Sequence, residues 1–183
     1  MGKVMATRKV IMDRDDIDRT LNRIAHELWE RNRGAEQFVF IGIRRRGVTI
    51  AHRLSKKLRE FERVSIPVGA LDITLYRDDL SEIASQPVLK KTEIPWPLNG
   101  KKVYLCDDVV YTGRTVRAAL DSIHDLGRPE AIRLIVLIDR GHRELPIEPN
   151  YTGKYIATTK QELIEVMLEE DDGIDQVVLV QGL

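Results

Sequence analysis

Sulfur chemistry, bulk charge and membrane-length apolar runs are what this sequence lacks. Cys106 is the only cysteine in 183 residues, which excludes an intrachain disulfide and any site built from several thiolates. No stretch reaches the roughly 18 consecutive apolar residues of a membrane span, and the segment through Asp13 has no apolar signal core. A soluble, cytoplasmic protein is expected. Lys plus Arg and Asp plus Glu both count 29, so bulk charge gives no support for nucleic-acid binding. The Gly-x-x-x-x-Gly-Lys-Ser/Thr spacing of a nucleotide-hydrolysing loop is missing, as is any internal repeat.

What is present is enough apolar material, 43% of the residues, for one substantial core; residues 1–183 read as one domain. Charge is unevenly placed. No Lys or Arg follows Lys160, whereas Glu162, Glu165, Glu169, Glu170, Asp171, Asp172 and Asp175 do. Without those seven, 22 acids face 29 bases, a formal +7. A basic face elsewhere and a solvated acidic turn at this end are both compatible with that pattern.

Periodicity alternates strand and helix. Lys9 to Met12 reads as a strand, and Ile17, Leu21, Ile24, Ala25, Leu28 and Trp29 mark a helix running to Gly34. Gln37 to Ile43 is an apolar strand, followed by a helix through Val48, Ala51, Leu54 and Leu58. Val64 to Thr74, Lys102 to Cys106 and Ala131 to Ile138 read as further strands, with a helix through Val116, Ala119, Leu120, Ile123 and Leu126 closed by Gly127 and Pro129. This order specifies an α/β fold: a mostly parallel sheet, helices on both faces, ligands beyond the carboxyl ends of the strands. Three segments stand outside the alternation: Arg77 to Gly100, polar with Pro87, Pro95 and Pro97; Asp139 to Thr159; and Val177 to Val180. The first reads as a mobile loop, with functionless disorder as the competing view.

The chemistry concentrates in Val103-Tyr-Leu-Cys-Asp-Asp-Val-Val-Tyr-Thr-Gly-Arg-Thr115. A strand delivers Asp107 and Asp108, and Thr112, Gly113, Arg114 and Thr115 open a helix. Backbone N–H groups, hydroxyls and the positive end of the helix dipole suit a phosphate there. Carboxylates just upstream can accept hydrogen bonds from vicinal ribose hydroxyls about one sugar away. Helix capping accounts for either acid, but not for both beside such a turn. Cys106 reads as a core residue.

That segment resembles the phosphoribosyl pyrophosphate (PRPP) signature of type I phosphoribosyltransferases. Together with Leu71-Asp-Ile-Thr-Leu-Tyr-Arg-Asp-Asp79, Tyr111 to Ala119 and Asp139-Arg-Gly-His-Arg-Glu-Leu-Pro-Ile147, it resembles the PyrR family, uracil phosphoribosyltransferases that also control pyrimidine operons through RNA. The resemblance spans nearly the whole chain. It implies a type I phosphoribosyltransferase fold with a lid at about 75–100 and a small hood from about 139–160 plus the C-terminal strand. It implies PRPP contacts from Val103, Asp107, Asp108, Val109, Val110, Tyr111, Thr112, Gly113, Arg114 and Thr115. A pyrophosphate loop, Ile41 to Gly47, would act through Arg44, Arg45 and Gly47, with Arg45 standing where the family usually has threonine.

Asp107, Asp108 and Arg77 are the catalytic candidates by this resemblance, Arg77 arriving as the lid closes; Asp78 and Asp79 beside it are left to solvent. Ile138, Asp139 and Arg140 would place uracil, largely through backbone groups. The implied reaction converts uracil and PRPP to UMP and pyrophosphate. Magnesium would be held mainly by substrate oxygens, with Asp107 and Asp108 reaching it at most through water and no protein metal cage. For RNA, a leader-mRNA stem-loop bound across a homodimer in response to UMP or UTP, the matching positions are Arg23, His26, Arg31, Arg143 and Lys154. Asn22 and Glu148 depart from the family's common threonine and basic residue. An attenuator with weak or no enzymatic activity, an enzyme with lost RNA binding, and a purine phosphoribosyltransferase are the alternatives, the paired aspartates and the Asp139 to Ile147 hood arguing against the last.

Overall fold

Alternation of apolar residues along the strands builds the molecule as layers on a parallel sheet. The computed structural model describes residues 6–32, 38–77 and 91–182. In chain order the elements are β1 (Thr7–Met12), α1 (Arg14–Arg31), β2 (Phe38–Ile43), α2 (Arg46–Glu62), β3 (Val68–Leu71), a 3-10 turn (Thr74–Tyr76), β4 (Lys102–Val110), α3 (Arg114–Leu126), β5 (Ala131–Asp139), β6 (Tyr151–Tyr155), β7 (Leu163–Met167), α4 (Glu169–Asp172) and β8 (Gln176–Gln181). The main sheet runs β3-β2-β4-β5-β6, every neighbouring pair parallel. A second sheet, β1-β8-β7, is antiparallel. Of the expected lid, residues 78–90, with Asp78, Asp79 and Pro87, lie outside the described residues, as do Gly34 and Gln37.

Both faces of the main sheet are covered, so its central strands are apolar on both sides. Phe38, Phe40, Tyr104, Cys106, Ile135 and Leu137 share one core with Ile17, Leu21, Ile24 and Leu28 of α1 and Ile50, Leu54 and Leu58 of α2. Val39, Ile41, Val103, Leu105, Leu134 and Val136 point the other way, onto Val116, Ala119 and Ile123 of α3. Helix α1 starts at a reciprocal cap in which Asp16 N–H donates to Asp13 Oδ1 (2.8 Å) and Asp13 N–H donates to Asp16 Oδ2 (3.2 Å), satisfying two otherwise orphan donors.

Three expectations change. The strand expected to end at Cys106 continues to Val110. Pairing with β2 stops at Gly42–Cys106 while pairing with β5 continues to Val110–Asp139, so β4 runs on with one side open and the sheet parts beside Asp107 and Asp108. The strand expected over Val64 to Thr74 is only Val68–Leu71, because Asp72 Oδ1 accepts from Thr74 N–H (2.9 Å) and Oγ1 (2.5 Å) and turns the chain into the 3-10 turn. The hood is built from β1, β7 and β8. Residues 151–155 of the expected hood form β6 at the main sheet's edge, anchored by Tyr151, whose ring lies 5.9 Å from that of Tyr104 in the core.

Candidate active site

Where β4 outruns β2, Asp107 is buried and Asp108 partly so. Asp108 N–H donates to Asp107 Oδ1 (2.9 Å), and Val109 N–H donates to Asp108 Oδ1 (2.8 Å). Burial, reinforced by the neighbouring Asp108 charge, pushes the Asp107 carboxyl well above the usual carboxylate range. Burial also raises Asp108, against the lowering effect of the Val109 N–H and the Arg46 cation. Two adjacent acids in so little solvent resist full ionisation together. A cationic ligand, or one offering hydroxyl donors, relieves them.

Downstream, Gly113 has φ +93°, a left-handed backbone that favours glycine, and it delivers the chain into α3. Arg114 N–H donates to Thr112 Oγ1 (3.3 Å), and the Thr112 carbonyl accepts from Glu144 N–H (2.9 Å). A cavity of about 290 Å³ lies over this turn, lined by Arg77 and residues 109–116. A second, about 270 Å³, holds Asp107, Asp108 and Asp72 on one side and Arg44, Arg45 and Arg46 on another. The two share Arg77, Val109 and Thr115, giving a cleft in which one cavity lies over the phosphate-suited turn and the adjoining one holds both the carboxylates and the arginines. Val103, expected at the site, is fully buried in the α3-side core and lines neither cavity.

The arginine end is set by close packing. A Cβ on Gly47 would stand 2.3 Å from the Cys106 carbonyl oxygen, so only glycine lets α2 start against β4. The Arg44–Arg45 peptide is cis. Arg44 Nε donates to the Lys91 carbonyl (2.9 Å), tying the loop to the far end of the lid. Arg45 leans toward Asp171 (3.9 Å) and Asp172 (3.6 Å). Arg46, which sequence reasoning passed over, forks onto Asp172 with Nε–Oδ2 2.9 Å and Nη2–Oδ1 2.8 Å. The sequence signal was there: Arg46, Thr49 and Arg53 recur on one helical face, and the acidic run from Glu169 to Asp175 matches them.

Comparison with known proteins gives the family. The model of the phosphoribosyl transferase domain matches residues 13–170. "Bifunctional protein PyrR" of Deinococcus radiodurans is 56% identical over 174 residues, 95% of each chain. The protein of the same name from Pelotomaculum thermopropionicum is 56% identical over 178 residues, 97% of this chain and 98% of its own. The chain belongs to the PyrR family of phosphoribosyltransferases. Among solved structures, Trypanosoma cruzi hypoxanthine phosphoribosyl transferase superposes with a TM-score of 0.75 over 99% of this chain and 95% of its own at 16% identity, a likeness of fold. No described helix is long and apolar enough to cross a membrane.

The loop after β5, where uracil was expected, is tied down by side-chain hydrogen bonds. Ile138 is buried in the core. Asp139 Oδ1 accepts from Gly141 N–H (2.9 Å) and Oδ2 from Arg143 Nη2 (2.6 Å). Arg140 is buried, lying 4.1 Å over the Tyr111 ring and donating to the carbonyls of Thr159 and Glu162. Both side chains are thus committed to holding the loop.

Arg143, expected on the RNA face, has a structural task in this loop. Its side chain is 15% exposed, and it donates to the carbonyls of Ile147 (2.8 Å) and Tyr111 (3.0 Å) as well as to Asp139. It fastens the base loop to the phosphate turn. Of the other four positions, Arg23, Arg31 and Lys154 share the α1–β6 edge. Arg23 donates to the Thr152 and Gly153 carbonyls (3.0 and 2.6 Å), Arg31 sits 5.1 Å over the Tyr151 ring, and Lys154 is on β6 itself. His26 lies round the helix, stacked at 4.6 Å on Phe61 of α2.

Proposed function

We propose that this chain transfers the phosphoribosyl group of PRPP to uracil, releasing pyrophosphate and forming UMP, and that UMP in turn favours binding of a leader-RNA stem-loop. The observation that carries the catalytic reading is the pairing of two adjoining cavities: one over the Thr112–Thr115 turn, the other holding the Asp107–Asp108 pair and Arg46, with Arg77 lining both. We read them as the turn, then the acids, then the arginine. That order matches 5′-phosphate, ribose hydroxyls and pyrophosphate along one substrate. Asp107 and Asp108 accept the hydroxyls and stabilise positive charge that grows on the ring as the anomeric bond to pyrophosphate breaks. Arg46 and Arg77 meet the departing phosphates. The uracil nitrogen, held by the loop after Asp139, attacks from the opposite face; positioning replaces covalent catalysis.

Among the described residues, no three His, Cys, Asp or Glu side chains gather as metal ligands. A donor set of two adjacent carboxylates suits magnesium carried in on substrate and touched through water. When bound there, it neutralises the leaving pyrophosphate. For RNA, the α1–β6 edge with Arg23, Arg31 and Lys154 is the supporting feature, and a second copy of the chain would extend it into a dimer face.

The test supplies PRPP and magnesium with uracil, hypoxanthine, guanine and orotate in parallel. UMP from uracil alone is expected, abolished in Asp107→Asn/Asp108→Asn protein. Faster hypoxanthine turnover would overturn the choice of base.

A further inference from the structure

Helix α4 meets the arginine end of the cleft with two fixed carboxylates. Asp172 Oδ2 accepts from Leu168 N–H (2.9 Å) while the same carboxylate receives the Arg46 fork. Asp171 Oδ2 accepts from Thr49 Oγ1 (2.6 Å). Both side chains are largely buried, at 17% and 16% exposure, whereas Arg45 beside them is half exposed. Neither acid belongs to the main sheet: α4 lies between β7 and β8, so the hood carries them to the loop.

Arg46 has a second suitor. It lines the same cavity as Asp108, and each favours the other's charged form. A guanidinium drawn fully to Asp108 would fill the acceptor that ribose hydroxyls need. The forked geometry with Asp172, two parallel charge-assisted bonds, decides the contest.

Resting on the phosphoribosyl-transfer reading above, we infer that Asp172 is a positioning residue for that reaction: it holds Arg46 off Asp108, keeping the cation at the pyrophosphate end and Asp108 open to ribose. Together with Asp171 it also parks Arg45 at the rim, which accommodates an arginine where the family usually has threonine. The neutral isostere Asp172→Asn loses the fork and frees Arg46 to swing onto Asp108.

Steady-state kinetics of the full chain test this, with UMP as the readout. Asp172→Asn is expected to raise the PRPP KM on the order of tenfold, with kcat and the uracil KM changed by less than about twofold. Asp172→Glu restores part of the loss. In an Arg46→Gln background, Asp172→Asn adds nothing further, because the group it positions is gone. Glu170→Gln, which removes a contact of Arg53 in the same joint between α4 and α2, leaves the PRPP KM unchanged. An unchanged KM in Asp172→Asn, an equal penalty in the Arg46→Gln background, or the same rise in Glu170→Gln would each overturn the inference. Failure of the underlying reading looks different: the wild-type chain then makes no UMP.

Discussion

Asp107 and Asp108 stand against the stability of the empty protein. Their carboxyls are raised by burial, and Asp107 also by its neighbour's charge. A carboxyl whose pKa is higher folded than unfolded stabilises the fold while protonated, below the ordinary carboxylate range, and loses that contribution as pH rises through its folded value. Near neutral pH, therefore, Asp107→Asn is expected to raise Tm by roughly 2–4 °C while abolishing turnover; thermal melts beside activity assays check both. Gly47 behaves oppositely. Gly47→Ala forces a Cβ against the Cys106 carbonyl and should lower stability by at least about 2 kcal/mol in urea unfolding. The acids and the turn were legible in the sequence because their chemistry is local. Arg46 was not, since three successive arginines look alike until α2 fixes where each points.

At the scale of elements, the base loop and the phosphate turn are one unit held by Arg143. Its partner Asp139 is only 11% exposed, and removing one member of a buried pair leaves the other charge unmet. Arg143→Ala is expected to cost about 2–3 kcal/mol and to lower UMP formation in the absence of any RNA; denaturant unfolding and turnover measure the two. A variant with normal stability and turnover that loses only RNA affinity would return Arg143 to the RNA face. The alternating strands and helices were readable from apolar period, and β2, α2, α3 and β5 stand where that reading placed them. β6 was not readable, because an edge strand needs only Tyr151 as a core anchor. Helix α4 was missed for another reason: four acids give no apolar stripe, and what orders them is ion pairing and hydrogen bonding with α2, contacts 117 to 126 residues away in sequence that no local pattern announces.

The whole molecule joins two sheets with different duties. The parallel sheet opens at its carboxyl end between β2 and β4, and the antiparallel sheet supplies α4 to the rim of that opening. A formal net charge of zero means that any RNA affinity must come from a local edge. Arg23→Ala, Arg31→Ala and Lys154→Ala should each flatten the salt dependence of leader-RNA binding by about one unit of slope and leave UMP formation intact; filter binding across a salt series shows it. The most direct measurement of the central claim is PRPP binding by titration calorimetry with magnesium, wild type against Asp107→Asn/Asp108→Asn. Saturable one-site binding lost in the variant is the expected result. Equal affinity in the two proteins would place the substrate elsewhere and contradict the assignment of the cleft.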